Sequence, residues 1–98
     1  MARLEKKIQK LEKDIQKSVE LFERVVRLNQ KAIKAESNIV YNFDYSCGCN
    51  GISFTIMDRT EGGYTQINDG DSHYFGETYG KPLEEIEKEI AEEEKKYA

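Results

Sequence analysis

The chain has 98 residues, of which 38% are hydrophobic and 35% are charged, and its formal net charge at pH 7 is -4. A chain this short and this polar can bury only a small core by itself, so we expect it to share a core with a second copy. It contains no apolar run of the ~20 residues that a membrane span requires, no apolar leader at its N-terminus, and too few cysteines for a disulfide framework, which together predict a cytoplasmic protein without membrane contact.

The first predicted element is a long helix over residues 1–36. Its apolar residues recur at alternating spacings of four and three from Leu4 to Ala32, and no Gly or Pro interrupts them. This heptad pattern predicts a coiled-coil oligomerisation helix that pairs with a second copy of itself, as a dimer or a higher oligomer. The expected seam comprises Leu4, Ile8, Leu11, Ile15, Phe22, Val25 and Asn29.

The apolar face of this helix widens after Ser18, where flanking positions such as Val19 and Leu21 are also apolar. We therefore expect the second half of the helix to contact both a partner helix and the chain's own strands, and the first half to contact only the partner. A buried Asn29 would fix the pairing register at a cost in stability, so Asn29→Val is expected to raise the thermal stability. The pattern leaves parallel and antiparallel pairing open.

Residues 39–77 change to a period of two, which predicts an antiparallel β-meander of three or four strands. The dipeptide Asn50-Gly51 is typical of a two-residue hairpin loop. Such a loop places both cysteine thiols on the buried face, where a free Cys behaves as a small hydrophobe. The opposed pairs are then Cys49 with Ile52, Cys47 with Phe54 and Tyr45 with Ile56.

A second turn at residues 61–63 leads to a third strand, and a fourth strand is expected around residues 73–76. A three-residue loop would point Tyr64 inward, whereas a four-residue loop would point Ile67 inward. The chain then closes with a helix over residues 82–97, with Pro82 at its first helical position. One side of this helix carries Leu83, Ile86, Ile90 and Tyr97. The sequence thus predicts an α+β fold with a small α+β domain at residues 37–98.

Residues suited to chemistry are few. A structural zinc site needs about four ligands, and Cys47 and Cys49 have only His73 and scattered carboxylates to join them. The stretch NDGDSHY lacks the Gly and Glu positions of a calcium-binding loop. A small enzyme that uses His73 with Asp69 or Asp71 is the catalytic hypothesis. The expectation that the sequence favours is a protein that is not an enzyme and takes no metal or cofactor.

The expected head at residues 37–98 is acidic and rich in Tyr. Arg59 is the only basic residue between residues 37 and 80, so direct binding of nucleic acid, which depends on Lys and Arg, is not expected. The acidic surface serves either solubility or a basic partner. Tyr and Arg are enriched at protein interfaces. The expected contacts with a partner or ligand are Arg59, Tyr64, His73, Tyr74 and Tyr79.

These patterns predict a non-enzymatic, homo-oligomeric binding protein. Its head would engage a protein partner and could inhibit it. The alternative is a protein that holds a small ligand in pockets formed between subunits.

One segment also resembles a known family. EGGYT, a later Gly-Glu-Thr and LEEIEKEI, all within residues 61–90, are similar to the strand, strand, helix run of HicB-type antitoxins. Proteins of that family are small and bind a toxin, so the resemblance implies a protein partner. This chain departs from the family pattern by extra residues before the helix and by its N-terminal coiled-coil repeat.

Overall fold

The computed structural model describes residues 2–60, 62–70, 72–77 and 79–98, and it shows the expected α+β fold. A long helix comes first, an antiparallel sheet follows, and a second helix ends the chain. The elements are α1 (Ala2–Lys34), β1 (Ile39–Ser46), β2 (Gly51–Thr60), β3 (Gly63–Gln66), β4 (Ser72–Tyr74) and α2 (Leu83–Lys95).

The helix α1 is continuous over 33 residues, as the heptad pattern predicts. At ~1.5 Å per residue it is about 50 Å long. Lys31 and Lys34 lie in its last turn, where positive charge complements the negative end of the helix dipole. The helix stops at Glu36, which adopts a left-handed conformation (φ 56°), and Ser37 N–H donates to the carbonyl of Ala32 at 2.9 Å.

The sheet is centred on β2, and its first three strands form the predicted antiparallel meander. β1 pairs with one side of β2, and both β3 and β4 pair with its other side. Of the two predicted strand numbers the meander therefore has three, and β4 joins the sheet beside β2 and not beside β3. Because β2 is ten residues long, it has room for β3 along Met57–Thr60 and for β4 along Gly51–Ser53.

The gap between β3 and β4 is filled by a side chain. Asn68 accepts a hydrogen bond from the backbone N–H of Ile56 at 2.8 Å and donates one to the carbonyl of Phe54 at 3.0 Å. Its amide therefore takes the place that a neighbouring strand would occupy, and the central strand stays hydrogen-bonded where no strand lies beside it.

The hairpin between β1 and β2 has a different register from the predicted one. Tyr45 lies opposite Ile52 and Phe43 opposite Phe54, so the loop covers four residues, 47–50, and not the Asn50-Gly51 dipeptide. The shift is an even number of residues, so Tyr45 still lies on the same face as Ile52, Phe54 and Ile56, but it is 60% exposed whereas those three are buried. Both cysteines fall in the loop and are exposed, which corrects the prediction that their thiols are buried.

The turn between β2 and β3 is shorter than either predicted length. Thr60 pairs with Gly63, which leaves a two-residue loop at positions 61 and 62, and Glu61 itself lies outside the described residues. Tyr64 therefore lies opposite Arg59 on the sheet face away from the helices. Ile67 is exposed as well, so neither residue points inward as either loop length had implied.

Both helices pack on the same face of the sheet. Pro82 lies at the N-cap of α2, one position before the predicted place, and Leu83, Ile86 and Ile90 are buried as expected. Tyr97 packs against the same core. The second half of α1 also belongs to this core, which comprises Leu21, Val25, Leu28, Ala32, Tyr41, Ile52, Phe54, Ile56, Phe75, Leu83, Ile86 and Ile90.

Candidate functional site

The long helix has two apolar faces, and the chain's own fold covers only one of them. The inner face carries Leu21, Val25, Leu28 and Ala32, all at most 3% exposed. The other face, which we call the outer stripe, keeps side chains that are 42–75% exposed. The outer stripe comprises Ile8, Ile15, Val19, Phe22, Val26 and Ile33.

The predicted seam is divided between these two faces. Val25 is buried in the chain's own core and Leu11 packs against it, which corrects their assignment to an interchain seam. Ile8, Ile15 and Phe22 remain exposed on the outer stripe, and Leu4 is exposed as well. The division arises because the sheet and α2 cover one side of the broad apolar face of α1.

The predicted seam residue Asn29 has an intrachain role. Its amide Nδ2 donates to the carbonyl of Tyr41 at 2.7 Å, and its Oδ1 accepts from the Tyr41 N–H at 2.8 Å. Because β1 is an edge strand, these backbone groups have no neighbouring strand on that side. Asn29 therefore holds the edge of the sheet against α1, an intrachain role that its expected place in the seam did not include.

An apolar groove adjoins the outer stripe. It has a volume of about 340 Å³ and lies between α1 and the β1–β2 hairpin. The rings of Phe22 and Phe43 meet edge to face at 6.2 Å, and those of Tyr45 and Phe75 stack at 6.2 Å. The main lining side chains are Ile15, Val19, Phe22, Phe43, Tyr45 and Phe75. The groove and the outer stripe thus form one continuous apolar surface.

Ion pairs join the basic helix α1 to the acidic helix α2. Arg24 donates two hydrogen bonds to Glu94, at 3.1 and 2.6 Å, and one to Glu87 at 3.0 Å, and Lys17 also pairs with Glu87. The Arg24 guanidinium lowers the pKa of Glu94, and the Lys17 ammonium lowers the pKa of Glu87. The positive charge of α1 and the negative charge of α2 therefore partly neutralise each other within one molecule.

Acidification should weaken this ion-pair cluster. Folding lowers the pKa of Glu87 and Glu94, so their contribution is complete above the ordinary value of 4.5 and is lost as the pH falls from there through the lower folded values. Because all of these side chains are partly exposed, we expect a loss of roughly 1 kcal/mol, or about 5 °C in Tm. Melting curves from pH 7 to pH 3 would measure this loss.

Arg24→Gln should remove part of that acid sensitivity, because Glu94 then loses its strongest partner and Glu87 keeps only Lys17. Arg27→Gln is the matched control, since Arg27 is 69% exposed and lies 4.0 Å from Glu23. If Arg24→Gln and Arg27→Gln gave the same pH dependence, the pairs between α1 and α2 would contribute nothing to acid sensitivity.

The predicted contact residues on the sheet form two separate pairs. Arg59 and Tyr64 lie opposite each other at the β2–β3 end, on the face away from the helices. Tyr74 lies opposite Gly51, at the other end of β2, and its ring is 5.1 Å from that of Tyr79. Eight residues along a strand span about 26 Å, so these two pairs cannot contact the same small ligand.

His73 lies on the side of the sheet that faces the helices and is 5% exposed, which corrects the prediction that it contacts a partner. Its Nε2 lies 3.0 Å from Asp14 Oδ2 and its Nδ1 3.0 Å from the carbonyl of Lys81. Both ring nitrogens are therefore engaged. The catalytic hypothesis also named Asp71, which lies outside the described residues. His73 connects α1 to the segment before α2, and this arrangement indicates a structural role.

Metal ligands do not cluster in the part of the chain that the structure describes. There, no three His, Cys, Asp or Glu side chains come together in a way that could hold a metal ion.

Burial, followed by hydrogen bonds with Tyr97 and Glu93, raises the pKa of Tyr41 well above its usual range, so its hydroxyl acts as a hydrogen-bond donor within the core. Neither helix, over its described residues, combines the length and the apolar character that crossing a membrane requires.

Sequence reasoning missed the groove and the His73–Asp14 contact, both of which join distant segments. The available signals were weak: Asp14 interrupts the apolar side of α1, and Phe75 is an unexplained large residue.

Comparison with known proteins adds no assignment, because no family model, no curated protein and no solved structure matches the chain. The resemblance of residues 61–90 to HicB-type antitoxins therefore has no support from a family model. The function has to be inferred from the surface itself.

Proposed function

We propose that this chain is a non-enzymatic, homo-oligomeric binding protein. One observation supports this proposal above the others: an outer stripe of six apolar side chains, each 42–75% exposed, on a helix whose other apolar face is already packed. Contiguous apolar surface of this kind marks interaction sites in proteins. In this proposal the outer stripe binds a second copy, and the sheet and α2 form the head that engages another protein.

The energetics favour covering the outer stripe. Removing the remaining exposed area of a half-buried Ile, Val or Phe contributes about 1 kcal/mol. Six such residues from each copy give on the order of 10 kcal/mol, which is comparable with the cost of immobilising two molecules. The groove beside Phe22 and Phe43 adds further apolar area to the same contact. A second copy is therefore a sufficient partner for this surface.

Val19→Lys should dissociate the oligomer, because a central residue of the outer stripe that is 55% exposed would place an ammonium inside the contact. Its exposed position should leave the fold of one chain intact. Native mass spectrometry would give a dimer or larger species for the unaltered protein and a monomer for Val19→Lys. Glu20→Lys, at an exposed position on the polar side of the same helix, is the control and should keep the oligomer. A monomeric unaltered protein at micromolar concentration would refute the proposal.

The head offers a protein partner a sheet face with two pairs of candidate contact residues, Arg59 with Tyr64 and Tyr74 with Tyr79. Arg59 with Tyr64 is the more exposed pair, and both residue types are frequent at interface centres. The exposed carboxylates Glu84, Glu85 and Glu92 of α2 add negative charge that would suit a basic partner. The two exposed thiols fit a reducing compartment, so a cytoplasmic setting remains part of this proposal.

Replacing both Arg59 and Tyr64 with Ala should abolish capture of the partner while leaving the oligomer unchanged. These side chains lie outside the core, so the fold should be retained. Quantitative pull-down from the native lysate measures the capture, with Lys88→Ala on the exposed side of α2 as the control. Retention of every captured protein at the control level would remove these residues from the proposed contact.

The groove supports a second candidate function, the binding of a small apolar ligand. Its volume of about 340 Å³ and its aromatic lining lie in the range of small-molecule sites. Tyr45 lines it, whereas Arg59 lies at the far end of β2 and cannot take the ligand-binding role that the sequence suggested. An extra mass of a few hundred daltons per chain in the native spectrum would favour this function.

A further inference from the structure

The outer stripe has a heptad spacing of its own. From Ile8 to Ile33 its positions alternate by four and three residues, and the two positions that are not apolar are Glu12 and Asn29. The seam predicted from the sequence shares Ile8, Ile15, Phe22 and Asn29 with this line, but its other positions, Leu4, Leu11 and Val25, lie closer to the inner face. An alternation of this kind is the pattern for packing against another helix, so the occupant that fits the stripe is itself a long helix. The chain provides such a helix in α1.

Resting on the proposed homo-oligomer, we propose that a second copy docks on the outer stripe with its α1 antiparallel. One register pairs every apolar residue of the stripe with an apolar residue, about a twofold axis between Val19 and Phe22. A seam with alternating spacings of four and three contains two kinds of position. In an antiparallel helix pair, a position of one kind lies beside a position of the other kind on the partner helix. The layers are Ile8 with Ile33, Glu12 with Asn29, Ile15 with Val26 and Val19 with Phe22, each occurring twice.

The charged position in the stripe selects this orientation. Parallel pairing in register would place Glu12 against Glu12 of the partner subunit, and like charges at an interface are unfavourable. Antiparallel pairing places Glu12 beside Asn29, whose amide has a second N–H in addition to the one that binds the Tyr41 carbonyl. The two polar positions therefore meet each other and leave the four central apolar layers uninterrupted.

The residues flanking the stripe agree with the antiparallel register. The next line around the helix carries Gln9, Gln16, Glu23 and Gln30, all exposed. Antiparallel packing brings Gln9 near Gln30 and Gln16 near Glu23, so no like-charged pair forms along this flank. The groove lies beside Ile15, Val19 and Phe22, at the centre of the stripe, and each copy would therefore close the groove of the other.

Disulfide trapping tests the orientation. Cys47 and Cys49, both exposed in the hairpin loop, are first replaced with Ser. Ile8→Cys and Ile33→Cys proteins are then purified separately, mixed, and equilibrated in a buffer of reduced and oxidised glutathione. The oxidised form is the oxidant. The two positions are about 37 Å apart along one helix, so only a link between chains can join them. The expected product is the mixed dimer, in about tenfold excess over either homodimer, because neighbouring thiols have a high effective concentration.

The outcomes separate this inference from the proposed function. Light scattering of the Ser-substituted background that shows a monomer would end the homo-oligomer proposal itself. A dimer in which Ile8→Cys links to Ile8→Cys would overturn only the antiparallel orientation, and so would a dimer that forms no link. Ile15→Cys mixed with Val26→Cys gives a second, independent pair that should also link. Lys13→Cys mixed with Lys34→Cys, on the exposed polar side of α1, is the control that should not link.

Discussion

Asn29→Val should lower the melting temperature of the protein by about 10 °C. The substitution removes both hydrogen bonds that the amide makes with the backbone of Tyr41, a residue that is 3% exposed. Leaving a buried N–H and C=O without partners costs ~1–3 kcal/mol for each group, so a total of about 2 kcal/mol is a conservative value. For a domain of this size, that loss corresponds to roughly 10 °C in Tm.

The sign of this effect distinguishes two roles for Asn29. A polar residue in an interhelical seam costs stability, so its replacement by Val would raise Tm, as the heptad pattern alone suggests. A residue that satisfies the edge of β1 stabilises the fold, so its replacement lowers Tm. Differential scanning calorimetry measures the change, with Gln30→Val, at the adjacent exposed position, as the matched β-branched control. A higher Tm for Asn29→Val would mean that the bonds between Asn29 and the Tyr41 backbone do not stabilise the fold.

Gly51→Ala should detach β4 from the sheet. A Cβ at position 51 would lie 2.5 Å from the backbone oxygen of His73 and 3.2 Å from the ring of Tyr74. A backbone oxygen cannot move away alone, so the whole short strand has to shift. Forcing an extra methyl group into a packed site costs ~1–3 kcal/mol. Here the His73 contact with Asp14 would be strained as well, so we expect a loss of about 3 kcal/mol.

Gly48→Ala is the control, because a Cβ at position 48 meets no atom within 4 Å. Hydrogen exchange followed by mass spectrometry should show faster exchange over Ser72–Tyr74 in Gly51→Ala and no change there in Gly48→Ala. Equal Tm values for the two variants would mean that β4 is not held against Gly51 in solution.

Patterns that repeat over short distances were predicted well. The span of α1 and the inward residues of β1, β2 and α2 follow from periods of 3.5, two and 3.6 residues, which depend on neighbours in the chain. The hairpin register was wrong by four residues because Asn50-Gly51 is a strong turn signal, yet Asn50 ends the loop and Gly51 begins β2. Gly51 is required there by the close backbone of His73, a contact between segments far apart in the chain.

The side of the helix that faces the sheet could not be predicted. Residues 18–33 present a broad apolar face, and both halves of it satisfy the same sequence pattern. The choice is made by long-range contacts such as Arg24 with Glu94 and Phe22 with Phe43. Asn29 shows the same limit, because an Asn among apolar helix residues fits both a helix seam and a strand edge.

The predicted contact residues do not form a single site, for a related reason. Arg59, Tyr64, Tyr74 and Tyr79 were grouped because they are close in sequence and chemically alike. The strand arrangement separates them, since β3 and β4 pair with opposite ends of β2. His73 was expected to contact a partner but is buried. Successive residues of β4 face opposite sides of the sheet, and His73 lies on the helix side.

Because the Asn29 amide covers the free edge of β1 at Tyr41, aggregation of the protein depends on whether its first helix stays folded. If the C-terminal turns of α1 fray, the outer border of β1 becomes a bare template onto which a strand from another molecule can add. Fibril growth and local melting of this helix should therefore begin under the same conditions. Solution conditions that stabilise the α-helical conformation should delay both.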